Sequence, residues 1–385
     1  MTDHEAEPRD LSGDSAPHDA PSNAKPSRTY LGLVEPAGLV ANFLANPPLD
    51  FLASEVDGTP AFIAPFDLLT TAEPAVKRRV ERLPGFKWWG KILRLRTFFV
   101  GTTATEYAVF ADDFAAEDFA QKLVQRHARD QALVIVKDLP MASPLLDERC
   151  NALANRLADA LEKHGFVPMA GQALAYVPID FASTDDYLAR LSSGRRKDIR
   201  RKLKARENLR IERVPTGAAM FDDAAVLDKF FALYENVYSQ SEIHFDRLTR
   251  DFFAAMLRDQ SSGGVVFLYH HDDALIGFNL CFLTPTALVD KYVGFAYPQS
   301  REHNLYFVSW MENLRFAAEN KVAHYVAGWT DPEIKSYLGA SFTMTRHAVY
   351  LRNPLLRFLL RRITRFFEND RAWQEAADAP GRPGL

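Results

Sequence analysis

From Val265 to Ala296 the chain reads VVFLYHHDDALIGFNLCFLTPTALVDKYVGFA. Apolar and aromatic residues fill Val265–His270, Asp272-Asp273 supplies a turn, and Ala274–Leu283 is a second extended run. Leu288–Ala296 gives a third strand. Tyr297-Pro298 ends it, because proline has no N–H for further pairing. The period then changes, and Phe307, Trp310, Met311 and Leu314 fall at helical spacing within Asn304–Asn320. Ser300 or Asn304 is placed to cap that helix. His324–Gly328 reads as a short strand, Asp331–Leu338 as a short helix and Met344–Leu351 as a last strand. The stretch predicts an α+β unit built on an antiparallel meander.

The first half of the chain repeats this order. Phe51–Val56 and Ala61–Phe66 flank Asp57-Gly58, a hairpin signal. The basic and aromatic run Leu83–Phe99, with Trp88-Trp89, reads as a strand with one buried face or as a docking surface. Gly101–Tyr107 is a polar turn where a binding loop would lie. Helix Ala115–Arg129, buried strand Ala132–Val136 and helix Leu146–His164 follow, the last closed by Gly165. Phe166–Ile179 reads as strand, turn at Gly171-Gln172, strand.

Between the halves, Ser183-Thr184-Asp185-Asp186 opens a helix, and Ser192–Arg206 continues as a basic one with a thin seam of Leu188, Leu191, Ile199 and Leu203. Arg195, Arg196, Arg200 and Arg201 either form a solvated face or hold phosphate through bidentate guanidiniums. Helices are expected over Ala224–Ser239 and Arg247–Arg258, with Tyr238–Ser241 and His244 in an acceptor-facing loop. Leu351–Phe367 is a basic amphipathic helix, lying on a membrane surface or packed back with its arginines outward.

Composition sets bounds. The 385 residues are 47% hydrophobic and 12% aromatic, enough for two well-buried domains. A net charge of −4 excludes a protein built as a whole to coat nucleic acid. Cys150 and Cys281 stand far apart, and the ten histidines lack metal-ligand spacing, so neither a disulfide framework nor a metal is expected. Residues 1–28 read as a disordered tail and 371–385 as a loose end. No apolar run approaches the roughly 18 residues of a spanning helix. A cytoplasmic location is expected.

Strand alternation would put Asp290 and Tyr292 on one face of Leu288–Ala296, and Lys291 and Val293 on the other. Charge inside such a strand is costly unless paired or functional. Asp290 is therefore either a partner of Lys335 or a catalytic group.

The element order, with Lys335-Ser336-Tyr337-Leu338-Gly339 near its end and Leu191, Ser192, Arg196 and Arg200-Arg201 opening the second half, resembles the GNAT acyltransferases. It is most similar to their Fem-type, peptidoglycan-related bacterial branch, where Lys-x-x-Leu-Gly recurs. The resemblance implies two tandem GNAT-like domains, 29–180 and 181–370, each a mixed, mostly antiparallel sheet flanked by helices. It implies transfer from acyl-CoA or another thioester to an amine, in the gap where Leu288–Ala296 and His324–Gly328 splay apart. The donor pyrophosphate would meet the amides of Asn304, Leu305 and Tyr306 beside Arg301, with Arg195, Arg200 and Arg201 as further phosphate ligands. The family's glycine loop is absent; Gln299–Tyr306 stands in its place. Asp290 or His303, with Glu302 as an alternative, would take the amine proton, Lys335 would anchor the acyl group and Tyr337 would protonate the leaving group. Two other functions fit: an aminoacyl-tRNA-dependent transferase, and a non-catalytic binding protein that kept the fold. The acceptor would be a small molecule or a cell-envelope precursor bearing an amine.

Overall fold

The computed structural model describes residues 29–363 apart from 68, 70–73, 87–89, 113, 129 and 242–244. The two tails, Trp88-Trp89 and His244 lie outside the described residues. The first half contains β1 (Tyr30–Leu31), α1 (Gly38–Ala45), β2 (Leu52–Val56), β3 (Thr59–Asp67), α2 (Pro74–Glu81), β4 (Arg94–Val100) and β5 (Phe110–Ala111). It continues with α3 (Ala116–Arg126), β6 (Leu133–Pro140), α4 (Glu148–Lys163) and β7 (Val167–Pro178). The second half opens with α5 (Thr184–Ala189), α6 (Ser193–Leu203), β8 (Arg210–Pro215), α7 (Ala224–Gln240) and α8 (Arg250–Arg258). The meander β9 (Gly264–His271), β10 (Ala274–Leu283) and β11 (Ala287–Phe295) leads to α9 (Gln299–Glu302) and α10 (Leu305–Glu319). Last come β12 (His324–Gly328), α11 (Pro332–Leu338), β13 (Ser341–Leu351) and α12 (Pro354–Ile363).

Local chemistry accounts for several boundaries. Asp147 caps α4 by accepting the Cys150 amide at 2.7 Å, and Gly165 turns the chain out of it at φ +91°. Ser183 caps α5 by accepting the Asp186 amide at 3.1 Å. The expected turn at Gly171-Gln172 is absent, because β7 is one continuous strand. A Cβ on Gly171 would stand 2.2 Å from the Thr345 hydroxyl of β13, so glycine serves close strand approach there rather than a reversal.

The halves join in one eleven-stranded sheet of order β2-β3-β4-β6-β13-β7-β12-β11-β10-β9-β8. Pairing is antiparallel except at β4–β6 and β11–β12. Each half follows the expected GNAT-like order of meander, helical crossover, parallel strand, helix and final strand, and the final strands are exchanged. β7 pairs with β12 and β13, while β13 lies between β6 and β7. Mapping β4, β6 and β7 onto β11, β12 and β13 returns the same central order reversed. Each half thereby covers the other's open edge, which would otherwise expose unpaired N–H and C=O groups.

Apolar layers cover both faces. On one, Phe43, Phe51, Phe62 and Phe99 of the first half share a core with Phe230, Phe252, Phe253 and Phe278 of the second. Val308, Met311 and Leu314 of α10 pack on Leu288, Phe295 and Tyr325 in another. A third sits under α3 and α4.

Candidate active site at the strand splay

β11 and β12 are paired only at Ala287–His324, Leu288–Tyr325 and Val289–Val326. β11 runs on to Phe295 while β12 stops at Gly328, so a gap opens beyond Val289. A bulge shapes its wall. Leu280 of β10 faces Tyr292, but the next residue, Cys281, faces Asp290, which leaves Lys291 as an extra residue. Simple alternation therefore fails here. Asp290 faces α10, while Lys291 reaches Glu106 and Tyr292 packs edge-on against Tyr234 and Phe252 on the opposite side.

Asp290 is held from all sides. Asn279 donates to both of its oxygens (3.1 and 3.0 Å), and Asn313 and the Tyr325 hydroxyl each donate at 2.9 Å. Burial pushes its carboxyl pKa up against these bonds. The Asp290–Lys335 ion pair entertained from sequence is not formed. Lys335 is 4% exposed, and no hydrogen bond or ion pair reaches its ammonium among the described residues. Its Nζ lies 3.9 Å from where a Cβ on Gly328 would stand, at the end of β12. Burial pulls its pKa down to about 8, opposed by the charges of Asp331, Asp290 and Glu106.

The other face of the gap holds a buried acid cluster. Lys291 pairs with Glu106 at 2.6 Å and Glu35 at 3.5 Å, and Glu35 accepts the Glu106 amide at 2.6 Å. Burial raises the Glu35 pKa to about 7, with Lys291 opposing and Glu106 reinforcing the shift. Burial also works against the Lys291 charge, but Glu106 and Glu35 outweigh it and raise its pKa. Glu106 Oε2 and the Tyr292 hydroxyl are buried without a partner among the described residues. Sequence reasoning missed Glu35 and Glu106. The available signal was a glutamate inside the otherwise uncharged turn Gly101–Tyr107.

That turn differs from its expected role. The first half has its own parallel pair, β4–β6, ending at Val100–Val136. Beyond it Thr102, Thr105, Glu106 and Tyr107 are buried, and Lys137 donates to the Thr102 carbonyl at 2.7 Å. The loop is thus packed into the fold and delivers Glu106 to the second half's site.

The remaining expected residues divide. Leu305 is fully buried, and Tyr306 is half-buried, with its hydroxyl pKa raised by burial and by the charges of Asp331 and Asp290. Arg301 lies over the Tyr297 ring at 4.8 Å and donates to Gln240. Asn304 adopts a left-handed conformation (φ 47°) and makes no capping bond, and the Ser300 hydroxyl is buried without a partner among the described residues, so neither caps α10 as expected. His303 lies against His271 at the β9–β10 hairpin, ring centres 4.0 Å apart and planes tilted by 37°. Tyr337, two residues from Lys335 on α11, points elsewhere: its hydroxyl donates to Asp198 at 2.8 Å. Arg195 donates to the Ser336 and Tyr337 carbonyls, Arg200 pairs with Asp185 at 2.9 Å and Arg201 with Asp198 at 2.6 Å. These three guanidiniums brace α6 and α11 or are already paired. A groove of about 320 Å³ between α1 and α8, lined by Leu39, Ala41, Ala255, Met256 and Phe282, lacks any such acid–base grouping.

A family model described as FemAB-like, peptidoglycan biosynthesis/recognition, matches residues 121–378, about two-thirds of the chain and the whole of the splay. The chain belongs to the FemAB-like family. No curated protein matches this FemAB-like chain in sequence. Among solved structures it is similar to the C-terminal DUF2156 domain of an Agrobacterium fabrum protein named for lysylphosphatidylglycerol synthetase, with 14% identity and a TM-score of 0.49 over 84% of this chain and 91% of that one. It is similar to FemX, with 11% identity and a TM-score of 0.47 over 86% and 100%. A tandem GNAT protein from the clavulanic acid pathway gives 11% and 0.40 over 83% and 88%.

Proposed function

We propose that the protein is a transferase that moves an acyl group from an activated ester or thioester to an amine at the β11–β12 splay. The observation that carries this reading is the buried Lys335 at the open end of the gap, whose ammonium has no partner among the described residues. An ammonium held out of water without a partner is costly unless a ligand supplies the missing charge. In the transfer, the amine nitrogen forms a bond to the acyl carbon, and the carbonyl oxygen gains negative charge beside Lys335. The bond to the carrier sulfur or oxygen then breaks, its electron pair going with the carrier. The carrier leaves as a thiolate, or takes a proton from water at the open gap and leaves as an alcohol. The amine proton passes to the Glu35–Glu106 pair, whose shared Lys291 fixes its geometry, while Asp290 positions β11 and Tyr325. Family membership supports a cell-envelope precursor as the acceptor.

The donor is read in two ways. Acyl-CoA would place its pyrophosphate by Arg301 and the start of α10. Aminoacyl-tRNA is favoured by the family and by the absence of a glycine loop at Gln299–Tyr306. Purified protein offered labelled acyl-CoA or aminoacyl-tRNA, with an amine-bearing precursor peptide, separates the two. Steep loss of donor affinity with salt marks tRNA, because phosphate contacts release counterions. Lys335→Met should lower turnover roughly 100-fold with either donor. Wild-type turnover in that variant would move the chemistry away from the splay. Failure to bind either donor would favour a binding protein that kept the fold.

A further inference from the structure

An amphipathic helix normally turns its apolar stripe inward; α12 does the reverse. Leu355, Leu356, Phe358 and Leu359 are 65%, 49%, 54% and 47% exposed, four large apolar side chains within five positions. Arg357 is turned inward, its guanidinium 4.1 Å from the Tyr350 ring centre and close to Gly165. Leu360 alone of the helix's leucines packs against the neighbouring core. Arg361 and Arg362 border the outward face. Between Arg352 and Phe367 the sequence has five arginines and no acidic residue, although the whole chain is net −4. A local positive charge wrapped around outward leucines suits one surface better than any other, an anionic bilayer. Ten residues of helix span about 15 Å, so α12 would lie along such a surface. Among the described residues no helix is long and apolar enough to cross a membrane.

We infer that the outward face of α12 docks the protein on an anionic lipid surface. This inference does not depend on the transfer chemistry at the splay. The test is sedimentation of the full-length protein with phosphatidylcholine vesicles, with and without phosphatidylglycerol. Binding should require the anionic lipid and weaken with salt, because charge attraction to the surface is screened. Leu355→Asp with Leu359→Asp, and separately Arg361→Glu with Arg362→Glu, should each lower partitioning about tenfold at unchanged melting temperature. Three results would overturn the inference. One is absent or variant-insensitive binding to anionic vesicles. Another is a dimer that the leucine variant dissociates, which assigns the face to a second copy. The third is a wild type that ignores vesicles while its leucine variant melts lower, which assigns the face to the chain's own residues after 363.

Discussion

At the scale of single residues, the site is a problem in where protons rest. Glu35 has a folded pKa of about 7 against an ordinary 4.5. Between those values the folded chain holds a proton that the unfolded chain has released, so the contribution to stability is present at low pH and lost as pH rises through 7. Lys335 is the opposite case, with a folded pKa of about 8 against 10.5. From 8 to 10.5 the unfolded chain binds the extra proton, so stability from this group grows as pH rises through that window. Below pH 8 its buried charge costs about 3 kcal/mol, at 1.36 kcal/mol for each unit of that difference. Lys335→Met should therefore raise the melting temperature at pH 7 while lowering turnover, a pairing expected of a functional lysine and not of a structural one. Activity should follow a narrow bell, with an acid limb near 7 and an alkaline limb near 8. Glu35→Gln should remove the acid limb; an unchanged pH profile would exclude Glu35 from the proton path. Asp290 was legible in the sequence as a charge inside an apolar strand, and Lys335 through the Lys-x-x-Leu-Gly motif. Glu35 and Glu106 were not, because only the fold brings together residues 71 positions apart.

At the scale of elements, most strands and helices follow from periodicity, and the departures have physical causes. Lys291 lies opposite Asp290 as alternation expects, but Tyr292 changes face because of a bulge whose position depends on the register of β10, which no local pattern carries. Gly171 has the sequence of a turn but the environment of a strand, because what forbids a side chain there belongs to β13. Gly171→Val should destabilise the protein by about 1–3 kcal/mol in denaturant melts, the usual cost of overpacking. Thr345→Ala should recover only part of that loss, since the Thr345 backbone also stands 3.0 Å from the added Cβ. Full rescue would mean that the hydroxyl alone is the obstacle. The turn Gly101–Tyr107 is polar and was read as the place of a binding loop, yet it is buried, and the Thr102 and Thr105 hydroxyls satisfy each other at 2.8 Å.

For the whole molecule, the order of elements in each half was readable, whereas the exchange of final strands was not. Pairing across such sequence distances is decided by which edges remain open, and both halves offer the same kind of edge. We take 29–180 and 181–370 as two units in the evolutionary sense, and propose that neither is a unit of stability. Each half expressed alone should lack a cooperative melting transition, and co-expression should restore one. Cooperative melting of the isolated first half would refute this.

The exchange also has a consequence on the ribosome. When β7 emerges, the strands that will flank it do not yet exist, and β6 has a neighbour on one side only. At about 5–20 residues per second the wait for β12 and β13 is on the order of ten seconds or more. Throughout that interval the nascent chain carries an apolar strand with two unsatisfied edges. Its birth, more than its finished fold, is the stage at which this chain is most open to wrong strand pairing.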